Sequence, residues 1–127
     1  MDLLITDAVV VTQDDARTIL DRGAVLIRGD RIAAVGPRAE LEAAHPAVPR
    51  LHARGKAVLP GFINSHTHTI LTVLRATVED WAGNAVYGYM SPVSYTMSAE
   101  ERQVMAVLGV LEGIRSGCTM FVDPFRH

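Results

Sequence analysis

The sequence predicts an α/β protein in which a small antiparallel β unit is followed by a strand–helix–strand unit. Two observations lead to this prediction. The first third of the chain consists of β-branched runs separated by turn residues, and a well-capped amphipathic helix near the end lies between two apolar, strand-like segments. With 127 residues, of which 49% are apolar, the chain is long enough for one ordinary domain with a packed core and too short for two large ones.

The first three apolar runs are typical of antiparallel strands. Residues 3–12 are rich in β-branched side chains and contain neither proline nor glycine, which favours a strand. Residues 23–28 and 31–36 are short apolar runs joined by Gly29 and Asp30. Because glycine at the first central position suits a type II′ turn, these two runs are predicted to form a β-hairpin.

A short helix and a polar connector follow the hairpin. Good helix formers occupy residues 38–45, and Pro46 ends the pattern, which predicts one helical turn. The stretch 46–54 is short, polar and proline-bearing, so we expect a connector. His45 and His52 fall in this surface-like region, where a solvated side chain is expected and a metal ligand is not.

A predicted buried strand at residues 58–65 leads directly into two histidines. If the strand continues through them, His66 and His68 point the same way while Thr67 points to the opposite face. Two aligned imidazoles at the carboxyl end of a strand are two candidate metal ligands. The spacing alone also fits a pair of histidines with a structural role.

The segment after the histidine pair, residues 69–97, has a less regular pattern. Residues 70–75 favour the start of a short helix, whereas Gly83, Gly88 and Pro92 favour an irregular loop. Loops of this length are usually functional or disordered, and the aromatic and methionine content argues against disorder. Two interpretations remain open: a binding loop or interface, and a lid that packs onto its own domain.

The clearest helix of the chain lies at residues 98–116. Ser98 and Glu101 have the spacing of a capping box, and Gly117 suits the position just after the helix. Residues 118–123 then form a second apolar strand, so that the two strands and the helix between them make one βαβ unit with a parallel strand pair. Five apolar side chains recur at helical spacing on one face of the helix: Val104, Val107, Leu108, Leu111 and Ile114.

A catalytic zinc site needs at least three protein ligands, and the sequence offers few besides His66 and His68. Asp123 and His127 lie at the rim where the second strand ends, and either could face the pair. An aspartate at a strand end equally fits a cap for the next helix. No glutamate follows the pair in a His-x-x-x-Glu arrangement, so the general acid or base stays unassigned.

Composition and charge exclude several classes of function. A net charge of −2 with no lysine- or arginine-rich block argues against nucleic-acid binding. No apolar run reaches the roughly 18 residues of a membrane span, and the amino terminus lacks the basic start of a signal peptide. Cys118 is the sole cysteine, so no internal disulfide forms. These features predict a soluble cytoplasmic protein.

Residues 56–68, Lys-Ala-Val-Leu-Pro-Gly-Phe-Ile-Asn-Ser-His-Thr-His, resemble the opening signature of the amidohydrolase superfamily. Asn64 before the Ser-His-Thr-His motif is more similar to the cytosine deaminase and chlorohydrolase/aminohydrolase branch, which includes triazine hydrolases, than to the hydantoinase branch. Arg75, Asp80 and the segment 115–123 agree further. The N-terminal strands are similar to the β-sandwich lead-in of the family.

The resemblance implies a metal-dependent (β/α)₈ barrel flanked by a β-sandwich that is built from both chain termini. Residues 1–57 would be the sandwich lead-in, and residues 58–127 would begin the barrel with its first βαβ unit. A barrel needs about 250 residues, so the barrel is expected to be incomplete in this chain. Its exposed strand edge and apolar helix faces would be covered by a second copy in a homo-oligomer or by the remainder of the barrel from another chain.

The resemblance also implies hydrolysis of non-peptide carbon–nitrogen bonds, with deamination of a small ring compound as the expected reaction. His66 and His68 match the first two metal ligands, for zinc or alternatively iron. The family's later ligands and its proton-shuttling glutamate have no counterpart in these residues, so the chain alone is expected to be inactive. Two alternatives stay open: an inactive fragment that folds by pairing, and a binuclear cyclic-amide hydrolase, which needs a bridging Lys or Glu on a later strand.

Overall fold

The computed structural model describes residues 1–125 of the chain. Within this range the chain forms two compact units, one at Met1–Pro60 and one that begins at Gly61. No helix in the described range is both long and apolar enough to cross a membrane. Each unit has its own sheet and its own apolar core.

The first unit is a five-stranded mixed sheet with one short helix. Strands β1, β2 and β3 are antiparallel neighbours, and both β4 and β5 run parallel to β1. The elements are β1 (Asp2–Val11), β2 (Ile19–Arg28), β3 (Arg31–Pro37), α1 (Arg38–Ala44), β4 (Arg50–His52) and β5 (Ala57–Val58).

The predicted hairpin and the helix after it are confirmed. Arg28 and Arg31 pair across the turn, and Gly29 has a φ of +61°, which the first central position of the predicted type II′ turn requires. The sheet buries side chains on both faces, because β1 and β2 contribute to two separate apolar clusters. One cluster is Leu4, Ala24 and Leu26, and the other is Ala8, Val10 and Val25.

The prediction that residues 46–54 are only a connector is wrong, because β4 lies within them and pairs with β1. All three residues of β4 are exposed, so its side chains carry no apolar signal for a strand. The strand forms because the backbone groups on that side of β1 need hydrogen-bond partners. His52 Nδ1 lies 3.1 Å from Thr6 Oγ1, while most of the His52 side chain remains in solvent.

The predicted buried strand at residues 58–65 is also wrong, since two short strands in two different sheets occupy this stretch. β5 pairs with β1 in the first unit, whereas β6 (Phe62–Asn64) belongs to the second. The break falls at Pro60 and Gly61, where proline lacks the N–H that a continuous ladder requires. Phe62 is 54% exposed, so β6 is not the buried strand that the sequence predicted.

The second unit places helical elements beside a two-stranded parallel sheet of β6 and β7. Its core consists of Ile70, Leu71 and Leu74, all from a 3₁₀ helix. In chain order the elements after β6 are the 3₁₀ helix (Thr69–Leu74), a π-helical turn (Val86–Met90), α2 (Ser91–Thr96), α3 (Ala99–Arg115) and β7 (Cys118–Phe121). The predicted parallel pair with a helix between its strands is confirmed.

Part of the predicted irregular loop is helical. The π-helical turn continues into α2, and Met90 and Val93 pack against the core of the 3₁₀ helix. Tertiary packing therefore overrides the helix-breaking residues in this segment. Pro92 fits because it lies in the first turn of α2, where no intrahelical N–H bond is lost.

Helix α3 begins and ends where the sequence predicts. Ser98 Oγ accepts from the Glu101 N–H at 3.2 Å, and the Ser98 N–H donates to Glu101 Oε2 at 2.7 Å, so the capping box is complete. Gly117 follows the helix with a φ of +90°. The hydrogen bond from the Ser98 N–H also lowers the pKa of Glu101, because it favours the charged carboxylate.

Candidate metal centre

The histidine pair lies in a bend immediately after β6. Asn64, the last residue of that strand, accepts a hydrogen bond from the His66 N–H through its side-chain Oδ1 at 3.2 Å. The Thr67 N–H donates to the Val122 carbonyl at 3.0 Å, which holds the bend against the chain beyond β7. The backbone around the pair is therefore fixed on both sides.

The structure brings the two imidazoles into direct contact. His66 Nε2 and His68 Nε2 are 3.3 Å apart, and the ring centroids are 4.8 Å apart in an edge-to-face arrangement. The two side chains meet as expected, but the reason predicted for it is wrong. The strand ends at Asn64, before the histidines. The two imidazoles are therefore aligned by the bend, and not by the alternation of side chains along a strand.

The separation of the two nitrogens fits a shared metal ion. Zinc binds histidine nitrogen at about 2.0–2.1 Å with tetrahedral geometry, so two nitrogens on one ion lie roughly 3.3–3.4 Å apart. The observed 3.3 Å meets this requirement. Among residues 1–125, no group of three or more His, Cys, Asp or Glu side chains could hold a metal. The described residues thus bring together two candidate ligands, His66 and His68.

Asp123 lies beside the pair and also caps the 3₁₀ helix. Its Oδ2 accepts from the Thr69 N–H at 3.0 Å and from Thr69 Oγ1 at 2.6 Å. Its Oδ1 lies 3.7 Å from His68 Nδ1, and both side chains are largely buried. Asp123 therefore faces the pair, and the helix that it caps is the 3₁₀ helix earlier in the chain, whereas the sequence offered it as a cap for the next helix.

The ring of His68 is enclosed on two sides. One edge contacts His66, and Phe125 packs against the ring with centroids 5.0 Å apart at an angle of 63°. His68 Nδ1 is buried and has no hydrogen-bond partner among the described residues. An orphaned nitrogen of this kind is unusual, because buried polar groups are normally hydrogen-bonded.

Sequence reasoning did not identify Thr69 or Phe125 as part of this site. Thr69 follows the pair directly, and a threonine next to a candidate ligand was the available signal for a hydrogen-bonding role. Phe125 gave no signal, since its contact with the ring depends on the path of the chain after β7. His127, the other candidate ligand, lies outside the described residues.

Comparison with known proteins supports the family. The model of the amidohydrolase family matches residues 57–125, which is more than half of the chain. A model of the bacterial imidazolonepropionase-like composite domain matches residues 23–47. The chain belongs to the amidohydrolase family.

Similar proteins include deaminases and a triazine hydrolase. The chain is 35% identical to the 5-methylthioadenosine/S-adenosylhomocysteine deaminase of Nitratidesulfovibrio vulgaris, over 98% of this chain and 28% of the relative. The triazine hydrolase of Arthrobacter aurescens superimposes with a TM-score of 0.77 at 25% identity, over 96% of this chain and 28% of that one. An adenosine deaminase of Xanthomonas campestris with bound zinc gives 0.72 and 26%, over 98% and 29%. The chain thus spans less than a third of the length of these proteins.

Proposed function

We propose that this chain is the N-terminal segment of a metal-dependent hydrolase that acts on non-peptide carbon–nitrogen bonds. In this proposal, residues 1–57 are the sandwich lead-in and residues 58–127 begin the (β/α)₈ barrel. His66 and His68 hold the metal, for which we propose zinc, with iron as the alternative. The observation that carries the proposal is the 3.3 Å separation of the two Nε2 atoms.

The proposed reaction is deamination of a small ring compound of the adenosine type. Two of the similar proteins are deaminases of adenosine or of its thioether derivatives, and the structure of one of them contains bound zinc. When bound, zinc supplies Lewis acidity, which makes water nucleophilic near neutral pH. Water adds to the ring carbon that bears the amino group, and ammonia leaves. The residues of this chain orient the metal, while the general acid or base stays unassigned.

Zinc binding to the 127-residue chain tests the ligand assignment. We expect zinc affinity, measured by competition with a chromophoric chelator, to fall by at least about tenfold in His66→Ala and in His68→Ala, since each removes one of two aligned nitrogens. His45→Ala is the matched control, because it removes an imidazole just after α1 and should leave affinity unchanged. Equal affinity in all four proteins would overturn the assignment, and iron(II) is tested in the same way.

The complete activity is expected to require more than these residues. We predict that the 127-residue chain, with zinc added, releases no ammonia from adenosine, from 5-methylthioadenosine or from aminotriazines. Two histidines give only part of a catalytic coordination sphere, because zinc enzymes use at least three protein ligands. Turnover above that of the His66→Ala variant would contradict this prediction.

A second candidate is a non-catalytic segment that folds by pairing with another chain. It is favoured by the apolar face of α3, all of which is exposed in this structure. Under this proposal the histidine pair holds no metal, and replacing both histidines with alanine leaves the assembly intact. Loss of assembly in the double variant, together with zinc-dependent assembly of the wild type, would favour the metal-dependent enzyme.

A further inference from the structure

We propose that Asp123 is a positioning residue for His68, whose imidazole it holds with the proton on Nδ1 so that Nε2 keeps the lone pair for a metal. This inference deepens the proposed function and rests on its assignment of His68 as a ligand. The observation behind it is that the buried Nδ1, which has no hydrogen-bond partner among residues 1–125, faces Asp123 Oδ1 across 3.7 Å.

The carboxylate of Asp123 is itself held in place. Thr69 donates to Oδ2 through both its backbone N–H and its hydroxyl, and the Phe125 N–H donates to Oδ1 at 3.1 Å. Thr69 directly follows His68 in the chain and is buried. A shift of the carboxylate would therefore disturb the residue next to the ligand, so Asp123 and His68 share one rigid frame.

The chemistry of the two groups determines the tautomer. A neutral imidazole carries its proton on one nitrogen and a lone pair on the other, and an ionised carboxylate only accepts hydrogen bonds. The nitrogen facing Asp123 is therefore the donor, and the nitrogen facing His66 is the acceptor that can bind a metal. Histidine ligands commonly donate their other N–H to a carboxylate in this way.

The remaining gap is small. A hydrogen bond between these atoms needs a separation of about 2.7–3.2 Å, so the ring has to move toward Asp123 by less than about 1 Å. Phe125 and His66 contact the ring at centroid distances of 5.0 and 4.8 Å. Closing the gap satisfies a buried nitrogen that otherwise carries a desolvation cost.

The decisive variant is Asp123→Asn in the 127-residue chain. Asparagine keeps an acceptor oxygen for Thr69 but can present an NH₂ group to His68, which favours the tautomer with the proton on Nε2. We expect ¹⁵N NMR of the metal-free protein, recorded where imidazole is neutral, to show His68 mainly as the Nδ1–H tautomer in the wild type and to lose that preference in the variant. We also expect zinc affinity to fall by about 10- to 100-fold.

Asp14→Asn is the matched control. Asp14 accepts from the Thr18 N–H through Oδ1 and from the Thr18 hydroxyl through Oδ2, both at 2.8 Å, whereas Asp123 accepts from the same two groups of Thr69 through Oδ2 alone. The substitution removes a carboxylate in the first unit that accepts from a threonine N–H and hydroxyl. The control should change neither the His68 tautomer nor the zinc affinity.

The outcomes separate this inference from the proposed function. A changed tautomer together with weaker zinc binding supports the inference. An unchanged tautomer, or unchanged zinc affinity in a protein that binds zinc, overturns it while the ligand assignment stands. If the wild type binds neither zinc nor iron(II), the proposed function fails, and the tautomer measurement alone decides whether Asp123 orients His68. If circular dichroism shows that Asp123→Asn is unfolded, Thr69→Val, which removes only the hydroxyl donor, is measured instead, and unchanged zinc affinity there overturns the inference.

Discussion

At the scale of single residues, Asn64 directs the backbone into the histidine pair. Its side-chain oxygen accepts from the His66 N–H two positions later, and its own carbonyl accepts from the Val122 N–H at 2.9 Å. An Asx-type hydrogen bond of this kind turns the chain without help from the sheet. Asn64 therefore takes part both in the hydrogen bonds of the strand pair and in the bend. The imidazoles project from a backbone that is hydrogen-bonded on both sides.

Arg75 and Glu112 form a two-pronged ion pair that joins the end of the 3₁₀ helix to α3. Arg75 Nη1 and Nη2 lie 2.8 and 2.9 Å from the two carboxylate oxygens of Glu112. Hydrogen bonds from Arg75 hold the pKa of Glu112 below its ordinary value, and the pKa of Arg75 is raised in turn. Both side chains are well exposed, so solvent screens the pair and its contribution to stability is small.

The lowered pKa of Glu112 gives a pH prediction with a definite sign. Because the folded pKa lies below the unfolded one, the stabilisation is fully present above the ordinary glutamate pKa and is lost as the pH falls through the folded pKa. We expect Glu112→Gln to lower the free energy of unfolding near neutral pH, and the difference from wild type to vanish in acid. Urea denaturation across this range measures it, with Asp21→Asn, an exposed carboxylate in β2, as control. A difference that grows in acid would contradict the prediction.

At the scale of elements, α3 approaches the 3₁₀ helix closely because of Gly109. A Cβ at this position would lie 2.6 Å from Thr72 Oγ1 and 2.8 Å from the Thr69 carbonyl. Thr69 is also the residue that donates to Asp123. The close packing of α3 at Gly109 therefore involves Thr69, the residue next to His68. Through Thr69, this helix packing is connected to the candidate site.

Gly109→Ala tests this close approach. We expect it to lower the free energy of unfolding by about 1–3 kcal/mol, because the added methyl group overlaps backbone and side-chain atoms that cannot move independently. Gly88→Ala is the matched control, since nothing lies within 4 Å of its added Cβ, and it should be neutral or slightly stabilising. Thermal unfolding followed by circular dichroism gives both values. Equal stability of Gly109→Ala and wild type would show that the helix can shift.

Local signals predicted the elements whose cause is local. The hairpin at Gly29 and the capped helix at Ser98 were predicted because turn and cap chemistry lies within a few residues. β4 was missed because its three exposed residues form a strand only through their pairing with β1. The break at Pro60 was visible in the sequence, but the assignment of its two sides to different sheets depends on contacts far along the chain.

The features of the candidate site also divide into those with a local cause and those that depend on distant contacts. The His-x-His spacing predicted two neighbouring imidazoles, and the structure places their Nε2 atoms 3.3 Å apart. The link between Asp123 and Thr69 spans 54 positions, so no local pattern contains it. Contacts that orient a candidate ligand come from tertiary structure, whereas the candidate itself can be recognised from a motif.

At the scale of the whole molecule, apolar surface is concentrated in the second unit. No residue of α3 is buried. Each of the five apolar side chains predicted for one face is more than 40% exposed: Val104, Val107, Leu108, Leu111 and Ile114. Phe62 and Met120 of the parallel strands are also exposed. A contiguous face of this kind marks an interaction surface, since burial of apolar area is favourable at about 25 cal/mol per Å².

Self-association of the 127-residue chain is the expected consequence of this face. We predict that sedimentation velocity shows a mass that rises with protein concentration, because a second copy can shield the apolar side chains of α3. Leu111→Glu should shift the chain toward monomer, since burying an unpaired carboxylate is unfavourable. Ile19→Glu is the matched control, because Ile19 is 60% exposed at the start of β2 in the other unit. If Leu111→Glu associates as strongly as wild type, a second copy does not cover α3, and the face is left for the remainder of a barrel.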